Sequence, residues 1–343
     1  MGGQLLTTIL AAIFVFGVLV TVHEFGHFIT AKLTGMRVDE FAVGFGPKIY
    51  QTTEGDTQYS LRLIPLGGYN KIAGMDPDEE PTIDGFTSKP IFSRMLVILA
   101  GPIMNFILPV LLFFGIFAIS GIDQPVNENV IGEVIHGKPA AQAGLMPGDR
   151  ILAINGEEIG TFDGLVATLA KYPNQEVALE VQRDGKVNEY KIVSEYSEEF
   201  KRPLIGVYPK FEKQSLSIFE AAKLSVVYTK NIMIGMVNGL IKIFSGTAPA
   251  DVSGPIGVAQ MAGEVAQQGI MPLLNFVAFL SINLGIMNLL PIPALDGGHF
   301  IVLSLEAVRG KPLSAKTMNT IQMIGFSLIL AITLVATFMD LTK

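Results

Sequence analysis

His23 and His27, four residues apart with Glu24 between them, are the first residues in this chain whose types and spacing could do chemistry. On a helix this spacing brings both imidazoles to one face a turn apart, where each could offer a ring nitrogen to one cation with the Glu24 carboxylate beside them. Two imidazoles hold zinc incompletely; a catalytic site takes a third protein ligand and leaves a fourth position for water. The chain has 4 His, so half of them fall within this five-residue stretch. It has no Cys, which excludes disulfides, thiolate ligands and a Cys nucleophile and leaves His, Asp and Glu as donors.

The elements that must hold these residues are membrane helices. Of 343 residues 50% are hydrophobic and 16% charged, with a mean hydropathy of +0.47, against about 25% charged in soluble domains. A formal net charge of -7 without a basic stripe excludes a nucleic-acid partner. Four runs lack Asp, Glu, Lys and Arg: Met1 to His23, Met95 to Ile122, Val265 to Leu295 and Met318 to Met339. Each is long enough to cross about 30 Å of hydrocarbon as a helix. The first has neither a basic n-region nor a small-residue cleavage site, so it is expected to be a retained helix. Lys32, Arg37, Lys89 and Arg94 lie between the first two runs, and Arg309, Lys311 and Lys316 between the last two, which makes those loops cytoplasmic. The segment between the second and third runs, and both termini, then lie outside.

That outer segment, 123–213, has the composition of a soluble α+β domain. Strands are expected at Val130 to Ile135 and Arg150 to Ile154, and a hairpin at Glu176 to Val193 around Asp184-Gly185, a type I′ turn pair. Phe162, Leu165, Val166 and Leu169 have helical spacing. The run from Gly137 to Gly156, with Gly144 closing a short helix and Asn155-Gly156 turning the chain, resembles the PDZ signature. Such domains bind an extended peptide as an added strand beside a groove helix. The next region, 214–264, holds Phe219 to Phe244, apolar but broken by Lys223, Lys230 and Lys242. It reads as an amphipathic helix at the outer interface, with a fifth span as the competing reading.

Topology locates the third metal ligand. The first and third spans run in the same direction, so their C-terminal ends share one leaflet. Asp296 stands at that end of the third span, after Pro291 and Pro293 have broken the helix. Read alone, Asp296 is equally an N-cap for a helix opening at Gly297; an incomplete zinc site at the same depth favours ligation. His299 is the rival ligand or a support behind the ligands. Asn288 could hydrogen-bond substrate or a developing oxyanion, or could join helices.

These segments together resemble the site-2 protease family, in particular its RseP-type bacterial intramembrane zinc metalloproteases, over essentially the whole chain. The resemblance rests on His23-Glu24-Phe25-Gly26-His27, Ala100-Gly101-Pro102-Ile103-Met104-Asn105, one PDZ domain, and Asn288 to His299. It implies one zinc per chain on His23, His27 and Asp296, with Glu24 as general base. It also implies a membrane-associated β region at Val43 to Pro47 and Ile64 to Tyr69, whose Gly67 and Gly68 could offer a strand edge to an unwound substrate. Asn105 is read as packing or support behind the site. The best-known enterobacterial members carry two PDZ domains; this chain has room for one. The expected architecture is a polytopic α-helical membrane protein with four transmembrane helices, a membrane-associated β region and an inserted α+β PDZ domain. Its segments are 1–122, 123–213, 214–264 and 265–343. The expected partners are the lipid bilayer, single-pass membrane protein substrates, and a peptide or trimmed substrate at the PDZ groove. The alternative is a non-proteolytic membrane adaptor whose structural metal site His299 would close.

Overall fold

The computed structural model describes residues 2–342 except 77, 199 and 250–252. The chain divides into Ser120–Leu216 and a helical unit formed by the chain on either side of it. The helical unit opens with α1 (Gly2–Leu33), which continues ten residues past His23, so the motif lies inside a helix and not at its end. The helix stops at Gly35, whose positive φ of 71° closes the last turn. Two long strands follow, β1 (Val38–Glu54) and β2 (Thr57–Ile72). The second half of β1 turns back on the first half of β2, while residues 40–43 have partners on both sides: Gln58 to Leu61 and Gly68 to Lys71. Two strands thus supply four ladder positions, with Gly68 to Ile72 as one edge. Then α2 (Ile91–Ser120) carries Pro102 and Pro109 within the helix.

The unit from Ser120 to Leu216 comprises β3 (Ile122–Pro125), β4 (Ile131–Val134), α3 (Pro139–Gln142), β5 (Arg150–Ile154), β6 (Glu157–Glu158) and α4 (Phe162–Leu169). It continues through β7 (Glu176–Arg183), β8 (Lys186–Val193), β9 (Glu195–Ser197), β10 (Arg202–Leu204), β11 (Val207–Pro209) and β12 (Phe211–Gln214). A four-stranded sheet of order β6-β5-β7-β8 packs on α4 around Ile151, Ile154, Leu165, Leu179 and Val181. The β7–β8 hairpin turns at Asp184 (φ 51°) and Gly185 (φ 77°), both left-handed as a type I′ turn requires.

The chain re-enters the helical unit through α5 (Ile218–Phe244), opened by a capping box between Ser217 and Glu220. There follow α6 (Pro255–Gln267), α7 (Ile270–Leu289), α8 (Asp296–Arg309) and α9 (Ala315–Thr342). Among the described residues five helices are long and apolar enough to cross a membrane: α1, α2, α5, α7 and α9. Of these, α5 is one continuous helix whose Ala221, Ser225 and Thr229 are buried while its three lysines are exposed. Tyr228 meets Phe113 of α2 edge-on, with ring centroids 4.8 Å apart.

Leu273 and Val277 of α7 pack with Ala11, Val15 and Leu19, so α7 runs beside α1 toward His23 in the same direction. Between them α6 lies against the start of α1, where a side chain at Gly263 would collide with Thr8. Its N-terminal Gly254 and Gly257 donate to the Asp340 carboxylate near the end of α9 (3.0 and 2.8 Å). Arg94, which the charge count treats as a solvent-flanking residue, is buried and pairs bidentately with Glu306 of α8 (2.5 and 3.1 Å).

Candidate metal centre

His23 and His27 share one face of α1, as their spacing requires, and their Nε2 atoms stand 3.2 Å apart. Asp296, the first residue of α8, brings Oδ2 to 3.2 Å from His23 Nε2 and 3.6 Å from His27 Nε2. His27 Nδ1 lies 2.7 Å from the Val97 carbonyl, a contact that requires the proton on Nδ1 and turns the Nε2 lone pair toward the other two atoms. Asp296 Oδ2 is buried and no hydrogen bond satisfies it. Three electron-rich atoms so close together repel unless a cation lies among them. Ligands at the usual ~2.0–2.1 Å from tetrahedral zinc are ~3.3 Å from each other, the spacing seen here. Two imidazoles and a carboxylate suit that ion, and they are the sole such cluster of three His, Asp or Glu among the described residues.

Backbone approach makes the cluster possible. A Cβ at Gly26 would stand 2.3 Å from the Ala100 carbonyl, and one at Gly101 would stand 2.3 Å from His27 Nε2 and 2.7 Å from His23 Cε1. Glycine at both positions lets α1 and α2 touch with the imidazoles between them. On the other side the turn after α7 folds tightly, Ile292 N–H donating to Leu290 O (2.7 Å), with Ala294 held at a φ of 71°. Gly297 and Gly298 admit the carbonyls of Leu290 and Ile292, each 2.3 Å from where a Cβ would be. That fold carries Asp296 back to α1; it opens α8 without capping it, since Leu295 is the N-cap.

Glu24 faces the same cluster, electrostatically coupled to His23, His27 and Asp296, and its carboxylate accepts from the Asn70 backbone N–H. The Gly68 to Ile72 edge of the sheet therefore reaches Glu24, beside the metal ligands. Gly67 and Gly68 are glycines for a local reason: at Gly67, where φ is 136°, a Cβ would be 2.1 Å from the Phe45 ring, and at Gly68 it would be 2.6 Å from the Ala42 carbonyl.

Asn105 is fully buried with Nδ2 3.1 Å from His23 Nδ1, its backbone carbonyl accepting from Ser281 Oγ (2.8 Å) and its Oδ1 unpartnered. His299 is outside the cluster; one turn along α8, it lines a cavity of about 410 Å³ with Tyr69, Asn70, Lys71, Ile72 and Gln322. Asn288 sits half-buried in the last turn of α7, and its side chain makes no hydrogen bond among the described residues. Sequence reasoning did not single out Val97 and Asn70, and assigned no role to Gly26 or Gly101. In the Ser120–Leu216 unit, Phe162, Leu165, Val166 and Leu169 of α4, the residues with helical spacing, line a groove with Leu204 and Val207.

Residues 11–332 match the family model described as peptidase family M50. The zinc metalloprotease RasP of Geobacillus kaustophilus is 33% identical, covering 99% of this chain and 99% of its own. The regulator of sigma-W protease RasP of Bacillus subtilis is 31% identical, covering 98% of each. A solved PDZ domain of an SdrC-like protein from Listeria monocytogenes aligns with 26% of this chain and 93% of its own at 18% identity, with a TM-score of 0.23.

Proposed function

The chain belongs to peptidase family M50, the site-2 proteases, and from that premise we propose how its residues share the work. It is a zinc-dependent intramembrane endopeptidase, a multi-pass membrane protein that hydrolyses peptide bonds in or near transmembrane segments of other membrane proteins. The observation that carries the site assignment is the 3.2–3.6 Å spacing of three lone pairs on His23, His27 and Asp296. Bound zinc acidifies water and polarises a carbonyl. Glu24, aimed by the Asn70 N–H, takes the proton and returns it to the leaving amine. Val97 fixes the tautomer of His27. Asn105 does the same for His23 once its amide is turned so that Oδ1 accepts from Nδ1–H, an orientation that also satisfies the orphaned oxygen. His299 we assign to the cavity wall, outside the ligand set, so three residues would hold the ion and a water could take the fourth place that a structural site would close.

We further read the membrane arrangement as four crossings. Because α7 runs parallel to α1 and ends at the metal, an odd number of crossings between α2 and α7 would reverse it; α5 and the chain back to α6 therefore make no net crossing. The exposed Phe45, Ile49, Leu63 and Ile64 of the β1–β2 sheet suit a lipid-facing surface. The unit from Ser120 to Leu216 is an extracytoplasmic PDZ domain in this reading, supported by the Gly137 to Gly156 run and the α4 groove, which would take a peptide or a trimmed substrate. Substrates of this class include anti-sigma factors, in keeping with the sigma-W relative, and remnant signal peptides.

The test is metal content and cleavage together. Purified protein should hold about one zinc per chain and lose it in His23→Ala, His27→Ala and Asp296→Ala. Glu24→Gln should keep zinc and lose cleavage of a model transmembrane substrate. Zinc retained in Asp296→Ala but lost in His299→Ala would reassign the third ligand, and turnover by Glu24→Gln would remove the base.

A further inference from the structure

Asn70 carries more than the backbone N–H that holds Glu24. Both polar atoms of its side chain, Oδ1 and Nδ2, are buried, and no protein group bonds either one. A buried amide left in this state forfeits the hydrogen bonds it makes with water in the unfolded chain, so a purely structural role gives no account of an amide there. Strand alternation defines where it faces. Tyr69 hydrogen-bonds Glu40 (2.7 Å) on one face of the sheet, so Asn70 and Ile72 belong to the other. Ile72 packs in one cluster with Phe28 of α1 and Leu303 of α8, which makes that the face turned to the helices bearing the metal ligands. Asn70 also lines the cavity it shares with His299 and Gln322.

We propose that the Asn70 side-chain amide is a substrate-binding group, holding one peptide unit of an unwound substrate beside Glu24. Its chemistry fits: Nδ2 donates and Oδ1 accepts, the complement of a peptide carbonyl and N–H. A helical segment keeps those groups in its own i to i−4 bonds, so Asn70 binds only a segment already extended there. The Gly68 to Ile72 edge offers main-chain groups to any extended chain, and Asn70 adds a side-chain contact at the position next to the base. The inference rests on the protease reading above and deepens it.

The experiment uses the full-length protein in detergent or bilayer with a model transmembrane peptide. Binding is measured to Glu24→Gln with and without Asn70→Ala, and cleavage by the wild type tests the broader reading separately. Asn70→Ala should weaken peptide binding at least tenfold while zinc content stays at the wild-type level. The melting temperature of Asn70→Ala and of the closer-sized Asn70→Leu should equal or exceed that of the wild type, because an orphaned amide has been removed. Unchanged binding would overturn the proposal. So would a lowered melting temperature in both variants, which would mark the amide as structural.

Discussion

Gly101 has no side chain because the two imidazoles occupy the space one would fill: a Cβ would stand 2.3 Å from His27 Nε2. Gly101→Ala is therefore expected to abolish zinc binding although all three ligands remain, measured as metal per folded chain by mass spectrometry; a full zinc complement in the folded variant would show that the helices can part. Glycine at 101 was visible in the sequence, but nothing local distinguishes a glycine admitting a neighbouring helix from one that merely packs. The pair His23 and His27 was legible because both sit on one helix, where spacing alone decides their geometry. Asp296 was legible at one remove, through the inference that two helices run in the same direction. Val97 and Asn70 act through backbone groups or across elements, and no spacing rule reaches them.

Elements were legible in proportion to how local their cause is. The β7–β8 hairpin follows from Asp184-Gly185, whose left-handed conformations admit few other pairs. The doubling of β1 and β2 into four ladder positions does not, because it depends on residues 40–43 having partners on both sides. Two carboxylates held by several partners, Asp149 and Glu40, carry the acid response. In the Ser120–Leu216 unit, Asp149 is almost wholly buried and paired with Arg183 (2.7 Å). Burial pushes its pKa up, but the Arg183 guanidinium and the Met146 N–H outweigh it and hold the carboxyl below the ordinary range. Since the folded value is depressed, the stabilisation is complete above the unfolded Asp pKa of about 3.9 and fades as pH falls through the folded value. Amide protection across 120–216, taken relative to the intrinsic exchange rate at each pH, should fall in acid below about pH 4. Asp149→Asn should blunt that acid dependence while costing about 1–3 kcal/mol at neutral pH; an unchanged acid profile would remove the ion pair as its cause. Glu40 in the β1–β2 sheet is held in the same way. Burial there also opposes ionisation, yet Ser60, Tyr69, Arg62 and Lys48 together hold its pKa at about 2.

At the scale of the molecule the open quantity is which side of the membrane each part meets. The chain has no Cys, so single introduced cysteines report without interference. Cysteines at Asn174 and Asp78 are expected to label from opposite faces of the membrane, and labelling from the same face would overturn the charge-based orientation. If the PDZ unit lies outside, it acts on access and not on chemistry. A domain of about 90 residues has a radius of gyration near 12 Å, enough to obstruct a substrate still carrying a folded outer domain. Replacing Val126 to Lys210 with a flexible linker should then let untrimmed substrate be cut. Slower cutting of trimmed substrate, with untrimmed substrate still refused, would mark the groove as a recruiter instead.

The free edge from Gly68 to Ile72 has a colloidal consequence as well. An unpaired strand edge is a template for any extended chain, and proteins ordinarily blunt it with charge, proline or a covering element. Here the cover at Asn70 is the carboxylate of Glu24, and the cavity beside it is walled by His299 and Gln322. On this arrangement, opening that edge should promote association between copies: a variant that removes the Glu24 carboxylate is expected to aggregate more readily than the wild type in detergent, as measured by light scattering.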